Sequence, residues 1–372
     1  MVCVTRRVRL YLVIAIGFAT FLMGCGGGSE SDSPPPEPGN VPPGVLSISA
    51  YYRTEPPPAT EAETIQRYLE ALVLAQTAGA NGQFSSYTWS ELEPIQGSYD
   101  LQNLSDTMQH AENQNLTVLV GLQVINTVAR AMPLDLVDEP WNSQTMISRM
   151  HALLDQLIPL MQGRVDYISI GNEVNGYFVG LHAAELAAYT VYFADAVDYI
   201  HTHLPGVAVG VTVTADGLLG AGTTTWFDLN RHSDVVVTTY YPLESDFRVK
   251  PSDQPLSDFP ALVAFAAGKP LVLQEVGYPS STIIGGSEAR QAQFVQYVFN
   301  AWLSSDGAIP FLNLFLLHDF SDDLVDSLVS YYGVPGSNFR EYLATLGLRY
   351  TNGDEKAVWP ALLQAAADAG LR

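Results

Sequence analysis

The sequence predicts an α/β fold, a single (β/α)8 TIM barrel. Eight short apolar runs rich in Val, Leu and Ile follow one another from residue 45 to the C-terminal region. They lack the polar alternation of half-exposed strands, which is typical of strands buried on both faces. Amphipathic stretches of helical period separate the runs, and no gap in the pattern suggests a second domain. Eight strands with intervening helices over about 330 residues fit this barrel.

The predicted strands are the apolar runs themselves. A doubly wound sheet is the structural alternative, but it usually has fewer strands, and no glycine-rich phosphate loop follows the first run. No self-similarity at a fixed period supports a repeat architecture. The eight runs are Val45–Ala50, Gly82–Ser86, Thr117–Gln123, Asp166–Gly171, Val207–Thr214, Asp234–Thr239, Pro270–Gln274 and Pro310–Leu316.

Three of the stretches between the runs carry clear helix signals. Thr60 with Glu63 three residues later has the pattern of a capping box at a helix start. Further helices are expected from about His182 to His201 and after Ser287. The apolar residues expected to share the buried faces are Ile65, Leu69, Leu72 and Val73 in the first helix, Leu186, Phe193, Val197 and Ile200 in the second, and Phe294, Val298 and Ala301 in the third.

The first 44 residues differ from the rest. Arg6, Arg7 and Arg9 precede an apolar run at positions 10–22, as in a secretory signal peptide. The letters LMGC at positions 22–25 resemble a bacterial lipobox, which implies that residues 1–24 are removed and that Cys25 carries a lipid. An uncleaved membrane anchor is the alternative, although the run is short for a spanning helix, which needs about 20 apolar residues.

A tether and a single folded domain are expected after the signal. Residues 25–44 comprise Cys25 and a stretch dominated by Gly, Ser and Pro, which cannot build a core. Residues 45–372 form the barrel. We expect a monomer anchored to the cell envelope, and in a bacterium with two membranes to the outer one, because Gly26 rather than Asp follows the cysteine.

Composition excludes several classes of function. The formal net charge is −22, with 17 basic against 39 acidic residues, so a nucleic-acid surface, which needs clustered Lys and Arg, is not expected. An acidic, aromatic-rich chain suits a neutral ligand such as an oligo- or polysaccharide. Cys3 and Cys25 provide neither a disulfide framework nor a cysteine metal site. The histidines lack metal-ligand spacing, so we expect no metal and no cofactor, and no nucleophile elbow points to an esterase.

Two glutamates stand where barrel enzymes carry out their chemistry. The fourth run ends in ISIGNEVN at positions 168–175 and the seventh in LVLQEVGYP at positions 271–279. Glu173 and Glu275 therefore follow buried strands, at the end of the barrel that holds active sites. Two facing carboxylates are the minimum for glycoside hydrolysis, in which one donates a proton and the other attacks. Different surroundings can separate their pKa values in that sense.

These motifs resemble those of the clan A glycoside hydrolases, a group of retaining enzymes. Asn-Glu at the end of the fourth strand and Glu at the end of the seventh match the clan pattern. The letters EVGYPS at positions 275–280 resemble the nucleophile motif of families 17 and 53, which cleave β-1,3-glucan and β-1,4-galactan, and the likeness extends to family 5. The segments WSELEP, TYYP, LGLRY and DEKAVW, at positions 89–94, 239–242, 346–350 and 354–359, resemble further clan segments.

The resemblance implies a role for each matched residue. Glu173 would be the acid/base, Glu275 the nucleophile, and Asn172 a ligand of the sugar 2-hydroxyl. A tyrosine after the sixth strand would hold the nucleophile. Tyr240 and Tyr241 are adjacent, so their side chains point to opposite sides, and the Tyr-Pro match favours Tyr241.

Two positions depart from the clan pattern. Many clan members carry a tryptophan at the end of the eighth strand, where this chain has LLHDF at positions 316–320. Many carry a histidine two residues before the tyrosine, where this chain has Thr238 or Thr239. These departures leave the family and the substrate open.

Further substrate contacts are expected from aromatic residues after the strands, because aromatic rings stack on the apolar faces of sugars. The candidates are Trp89, Tyr51, Tyr278, Tyr240 and Tyr241, and His318 is the histidine expected to meet substrate. Glu91 and Glu93 are expected to be structural. The predicted function is retaining hydrolysis of β-linked glycans of β-glucan or β-galactan type. The alternatives are a transglycosylase with the same residues and a non-catalytic glycan-binding lipoprotein. Sugar, linkage and endo or exo action stay open.

Overall fold

The computed structural model describes residues 44–334 and 336–372. The predicted signal peptide, Cys25 and the tether up to residue 43 lie outside the described residues. Within the described part, no helix combines the length and the apolar character that a membrane crossing needs.

Eight parallel strands form the centre of the fold. Each of the eight predicted runs contains one of them, with ends that differ from the prediction by no more than three residues. The fifth strand consists of two short segments on either side of Val211. The strands are β1 (Val45–Ile48), β2 (Gly82–Thr88), β3 (Thr117–Asn126), β4 (Tyr167–Asn172), β5 (Ala208–Gly210 and Thr212–Thr214), β6 (Val236–Tyr240), β7 (Leu271–Val276) and β8 (Phe311–Leu314).

The strands pair in two parallel sheets that together make the (β/α)8 barrel. One sheet has the order β1-β8-β7-β6-β5 and the other β2-β3-β4-β5, so that the two segments of β5 belong to different sheets. Where β1 meets β2, the Asn81 amide donates to the Leu46 carbonyl and the Leu46 amide to Asn81 Oδ1, both at 2.9 Å. A short antiparallel strand, Ala129–Arg130, pairs with the end of β3.

Helices connect the strands on the outside of the barrel. They are α1 (Glu61–Thr77), α2 (Trp89–Leu92), α3 (Gln102–Gln114), α4 (Gln144–Met161), α5 (Val174–Tyr177), α6 (Leu186–His203), α7 (Ala215–Leu219), α8 (Thr223–Leu229), α9 (Pro255–Ala266), α10 (Glu288–Leu303), α11 (Asp322–Tyr332), α12 (Ser337–Ala344) and α13 (Val358–Asp368). Two 3-10 turns, Gly180–Glu185 and Asn230–His232, precede α6 and follow α8.

The first helix begins where the sequence predicts, but its buried face is different. Thr60 is the N-cap and accepts from the Glu63 amide, while the Glu63 side chain accepts from the Ala59 amide rather than from that of Thr60. The expected face was wrong at two positions, since Leu69 and Val73 are exposed. The face that packs on the barrel comprises Arg67, Tyr68, Ala71, Leu72 and Ala75. The apolar positions expected inside α6 and α10 are confirmed as buried, except Leu186, which is partly exposed.

Inside the barrel, the character of the side chains changes along the strands. A buried apolar group at one end contains Leu119, Val237, Val272 and Phe311. Two residues further along their strands, inward-facing positions carry the buried polar side chains of Gln274 and Asn313. Successive residues of a strand alternate in direction, so the next inward positions lie at the carboxyl ends of the strands. The barrel therefore places polar groups directly beneath that end.

Candidate active site

Glu173 lies in the sharp turn that follows β4. Its backbone is left-handed, with φ of 46°, and Gly171, two residues earlier, has φ of 87°. A Cβ on Gly171 would come within 2.6 Å of Val174 and 2.8 Å of the Tyr189 hydroxyl, so only glycine fits this close approach. The turn presents the Glu173 carboxylate at the barrel mouth.

Two threonine hydroxyls hold the Glu173 carboxylate from opposite sides. Thr239 Oγ1, on β6, donates to Glu173 Oε1 at 2.7 Å, and Thr127 Oγ1, after β3, donates to Oε2 at 2.9 Å. Both oxygens thus have a fixed partner, which limits rotation of the carboxylate plane. Thr239 is one of the two threonines at the position where many clan A enzymes carry a histidine.

Glu275 lies on β7, and Tyr241 binds it. The Tyr241 hydroxyl donates to Glu275 Oε2 at 2.6 Å. The register between β6 and β7 shifts between Thr238 and Thr239, so that Thr239 stands opposite Glu275. Thr239 therefore lies between the two glutamates and bonds to Glu173.

A chain of buried polar side chains supports the pair from below. Gln274 Nε2 donates to Asn172 Oδ1 at 2.8 Å, and Thr212 Oγ1 donates to Gln274 Oε1 at 2.8 Å. Ser169 and Thr212 share a hydrogen bond of 2.5 Å, and Asn313 donates to the Gln274 carbonyl at 2.9 Å. Asn172 is only 6% exposed. Its amide is thus fixed immediately beside the mouth, next in sequence to Glu173.

Burial raises the pKa of both carboxyls. For Glu275 the pKa rises to about 7, and the Glu173 charge adds to the effect of burial, while the hydrogen bonds from Tyr241 and Gln274 act in the opposite direction. Burial also raises the pKa of Glu173 against the two threonine hydroxyls. Two desolvated carboxyls that repel one another titrate as a pair. Their mutual repulsion disfavours the state in which both carboxyls are ionised.

Tyr240 and Tyr241 point to opposite sides of β6, as their adjacency requires. Tyr241 faces Glu275, as the Tyr-Pro match favoured. Tyr240 points outward, packs its ring 5.2 Å from that of Phe259 and donates its hydroxyl to Asp258 at 2.9 Å. The substrate contact expected of Tyr240 is therefore corrected to packing between the barrel and α9.

Two further expected contacts are part of the core instead. Trp89 is fully buried, and its indole N–H donates to Glu93 Oε2 at 2.8 Å. Tyr278 is 1% exposed and donates its hydroxyl to the Lys250 carbonyl at 2.8 Å. Neither side chain presents a face to a sugar, because each is buried and hydrogen-bonded within the fold. Glu93 is structural as expected, since it also pairs with Arg149 at 2.9 Å.

Tyr51 and His318 lie together at the ends of β1 and β8. His318 is 2% exposed, and its Nδ1 hydrogen-bonds the Tyr51 carbonyl at 2.7 Å. Burial lowers the His318 pKa to about 4, so its ring is neutral and supports the backbone. The Tyr51 ring is partly exposed and packs edge-on against Phe320 at 5.0 Å. Of the two, only Tyr51 offers an accessible surface at the rim.

Sequence reasoning missed four other residues beside the glutamates. Phe315, after β8, packs perpendicular to Tyr241 with ring centroids 6.3 Å apart, and its peptide bond to Leu316 is cis. Tyr332 and Tyr342 lie close enough to both glutamates for the two charges to raise their pKa values. Thr127 carries no motif. An aromatic residue at the end of β8 was a usable signal for Phe315, whereas the tyrosines lie in helices with no local sign of function.

Among the residues that the structure describes, no three His, Cys, Asp or Glu side chains come together in a way that could hold a metal ion.

Comparison with known proteins identifies the fold and not the family. No protein-family model matches the sequence, and no curated protein matches it at a significant level. Solved structures do match. The exo-β-1,4-mannosidase Op5Man5 from Opitutaceae bacterium strain TAV5 superposes with a TM-score of 0.67 at 16% identity, over 88% of this chain and 60% of that one.

Two other solved structures give the same result. A GH5_18 variant from Streptomyces cattleya in complex with Manb1-4GlcNAc has a TM-score of 0.68 at 16% identity, over 87% of this chain and 80% of that one. A family 39 glycoside hydrolase from Bacteroides cellulosilyticus WH2 has a TM-score of 0.60 at 15% identity, over 88% and 64%. The chain thus has the (β/α)8 barrel fold of these glycoside hydrolase structures. The likenesses to families 17 and 53 stay predictions.

Proposed function

We propose that this protein is a retaining β-glycosidase in which Glu173 is the acid/base and Glu275 the nucleophile. One observation carries the proposal: two partly buried carboxyls with raised pKa values meet at the ends of β4 and β7, and a tyrosine hydroxyl binds the second. One ionised and one protonated carboxyl at one mouth is what double displacement requires.

In the first step, Glu275 attacks the anomeric carbon while Glu173 transfers its proton to the glycosidic oxygen. The bond from carbon to the leaving oxygen breaks, and a covalent glycosyl–enzyme forms on Glu275. In the second step, Glu173 takes a proton from water, the water oxygen bonds to the anomeric carbon, and Glu275 leaves as a carboxylate. Configuration is retained because two inversions occur.

The neighbouring side chains fit these roles. The Tyr241 hydroxyl occupies one oxygen of Glu275 and so orients the carboxylate for attack through the other. The threonine hydroxyls of Thr127 and Thr239 can donate to Glu173 when it is ionised and accept when it is protonated. Asn172, fixed by Gln274, stands where a sugar 2-hydroxyl would meet it.

The proposed substrate is a β-linked glycan of neutral sugars. β-Glucan and β-galactan follow from the sequence motifs. The titles of two solved neighbours name a β-1,4-mannosidase and a bound Manb1-4GlcNAc, so β-mannosides belong in the same panel. We propose in addition that Cys25 anchors the enzyme to the cell envelope through a lipid, with the tether holding the barrel away from the membrane.

Rescue by azide on an activated aryl β-glycoside tests the two roles. Glu275→Ala removes the nucleophile, so azide should restore turnover from the opposite face and give a glycosyl azide of inverted configuration. Glu173→Ala should still form the glycosyl–enzyme, because a good leaving group needs no proton. Azide should then release a product of retained configuration, as read by NMR.

Matched variants and clear outcomes make the test decisive. Tyr240→Phe, on the outward side of the same strand as Thr239, serves as a control that should keep wild-type turnover without azide. If the Glu275 variant gave the retained product and the Glu173 variant the inverted one, the roles of the two glutamates would be reversed. Full activity in either alanine variant would remove that glutamate from the mechanism. Binding of glycans without hydrolysis by the wild type would favour the non-catalytic alternative.

A further inference from the structure

Two helices inserted after β8 form a separate unit over the barrel mouth, which we call the cap. It comprises the helices α11 (Asp322–Tyr332) and α12 (Ser337–Ala344). Val325, Phe339 and Leu343 are its buried apolar centre. Phe247, from the loop after β6, packs against Phe339 with ring centroids 4.8 Å apart. The cap thus has its own small core, which includes a residue from another side of the barrel.

The cap is attached to loops on widely separated strands. Tyr331 donates its hydroxyl to the Asn126 carbonyl at the end of β3, at 2.7 Å. Asn338 Nδ2 donates to the Asp246 carbonyl after β6, at 2.9 Å. Since β3 and β6 belong to different sheets of the barrel, these two bonds hold the cap across the mouth rather than along its edge.

The inner face of the cap turns two tyrosines towards the glutamates. Tyr342 packs perpendicular to Tyr241 with ring centroids 5.4 Å apart, and Tyr241 binds Glu275. Tyr332 interacts with Thr127, which binds Glu173. Each tyrosine is therefore one residue away from a catalytic carboxylate. Together they form a wall over the space that a reacting sugar would occupy.

We propose that the cap closes the glycone side of the site, so that the enzyme removes terminal sugars from the non-reducing end and does not cut internal bonds. This inference rests on the proposed function. Any glycosidase must leave room for its leaving group, so a fixed wall beside the carboxylates can stand only on the glycone side. A chain that continued beyond the reacting sugar would meet the two tyrosines.

Oligosaccharides labelled at the reducing end test the proposal. The probes are β-1,4-mannopentaose, β-1,4-galactopentaose and β-1,3-glucopentaose with a 2-aminobenzamide label, each also prepared with a 4,6-O-benzylidene block on the non-reducing sugar. The wild type should shorten a free chain one sugar at a time and leave the blocked chain intact. Early internal fragments, or cleavage of the blocked chain, would overturn the proposal.

A variant that loosens the cap links this specificity to the cap itself. Tyr331→Phe with Asn338→Ala removes both anchors, which lie at the surface, so the fold should be kept; circular dichroism checks this. Loss of one hydrogen bond changes an equilibrium about fivefold, and we expect internal cleavage relative to terminal cleavage to rise at least that much. Tyr199→Phe is the matched control, since it removes a hydroxyl bonded to Asp155 between α4 and α6.

The outcomes separate this inference from the proposed function. An unchanged cleavage ratio in the double variant would overturn the role of the cap. If the wild type cleaves aryl β-glycosides but also cuts internal bonds, only the inference about the cap fails. If the wild type cleaves neither aryl glycosides nor oligosaccharides, the proposed function fails.

Discussion

Replacing Glu275 by glutamine should stabilise the fold above neutral pH and not at acid pH. Burial, with the Glu173 charge, raises the Glu275 pKa from its ordinary value of 4.5 to about 7. A carboxyl whose pKa is higher in the folded protein than in the unfolded chain contributes stability that is fully present below pH 4.5, its pKa in the unfolded chain. This stability is lost as the pH rises through the pKa of the folded protein. The change from 4.5 to about 7 corresponds to about 3 kcal/mol. Glutamine keeps the shape and cannot ionise.

Thermal unfolding between pH 4 and pH 9 measures this effect. With about 2.1 cal/mol/K of unfolding entropy per residue, a domain of about 330 residues gains roughly 4 °C from 3 kcal/mol. Glu275→Gln should therefore unfold about 4 °C above the wild type at pH 8–9 and close to it at pH 4. Glu244→Gln removes a carboxylate at the protein surface and serves as the matched control.

The dependence on pH, rather than the size of the shift at one pH, decides the result. A difference in melting temperature that is equal at pH 4 and pH 9 would mean that glutamine acts through packing and not through charge. A variant less stable than the wild type at pH 9 would refute the reasoning, because it would show that the ionised Glu275 is not a desolvated, repelled charge.

Two further predictions concern activity and localisation. On an aryl β-glycoside with a poor leaving group, kcat/KM should follow a bell whose basic limb lies above the ordinary range of a glutamate, because burial raises the pKa of Glu173 and loss of its proton removes the acid; a flat profile up to pH 9 would contradict the proton assignment. Cys25→Ser should release the protein from the membrane fraction, as measured by fractionation and by loss of a labelled lipid; a variant that stays in the membrane fraction with its lipid would exclude lipidation at Cys25.

The strands were predictable because their signal is local. An apolar run such as that at 117–123 has to be buried on both faces, and it forms β3 whatever surrounds it. The face of α1 was not predictable in the same way. Leu69 and Val73 have helical spacing with Leu72, but the barrel wall meets the neighbouring face with Tyr68 and Arg67. Periodicity finds a helix, and the packing partner decides which side is buried.

The candidate site also contains residues that local sequence signals predict and residues that they do not. The glutamates and Tyr241 follow from motif and from alternation along a strand, both of which are local. Trp89 and Tyr278 also follow strands, yet each is buried and donates to an acceptor inside the fold, Glu93 four residues later for Trp89 and the Lys250 carbonyl for Tyr278. Position after a strand therefore does not determine the direction of an aromatic side chain.

The cap could not be predicted from the sequence, because its position depends on how the segment after β8 folds back over the barrel mouth. Nothing in residues 322–344 reads as catalytic, and the tyrosines meet the glutamates only through contacts between segments more than 60 residues apart. The sequence showed that Thr239 stands near the place of a missing histidine. It did not show that the Thr239 hydroxyl binds Glu173, because this contact depends on the register of β6 against β7.

The cap and the carboxyl pair depend on one another. A general acid that works near neutral pH needs a carboxyl pKa well above the ordinary value, and desolvation is the largest cause of the rise in both glutamates. Tyr332 and Tyr342 interact with both glutamates, and we expect them to contribute to that desolvation from the cap, while the buried amides of Asn172 and Gln274 lie beneath the pair. The wall that we propose to select chain ends would therefore also hold the proton that cleavage needs. An enzyme with an open cleft at this point would have to raise the pKa by other means.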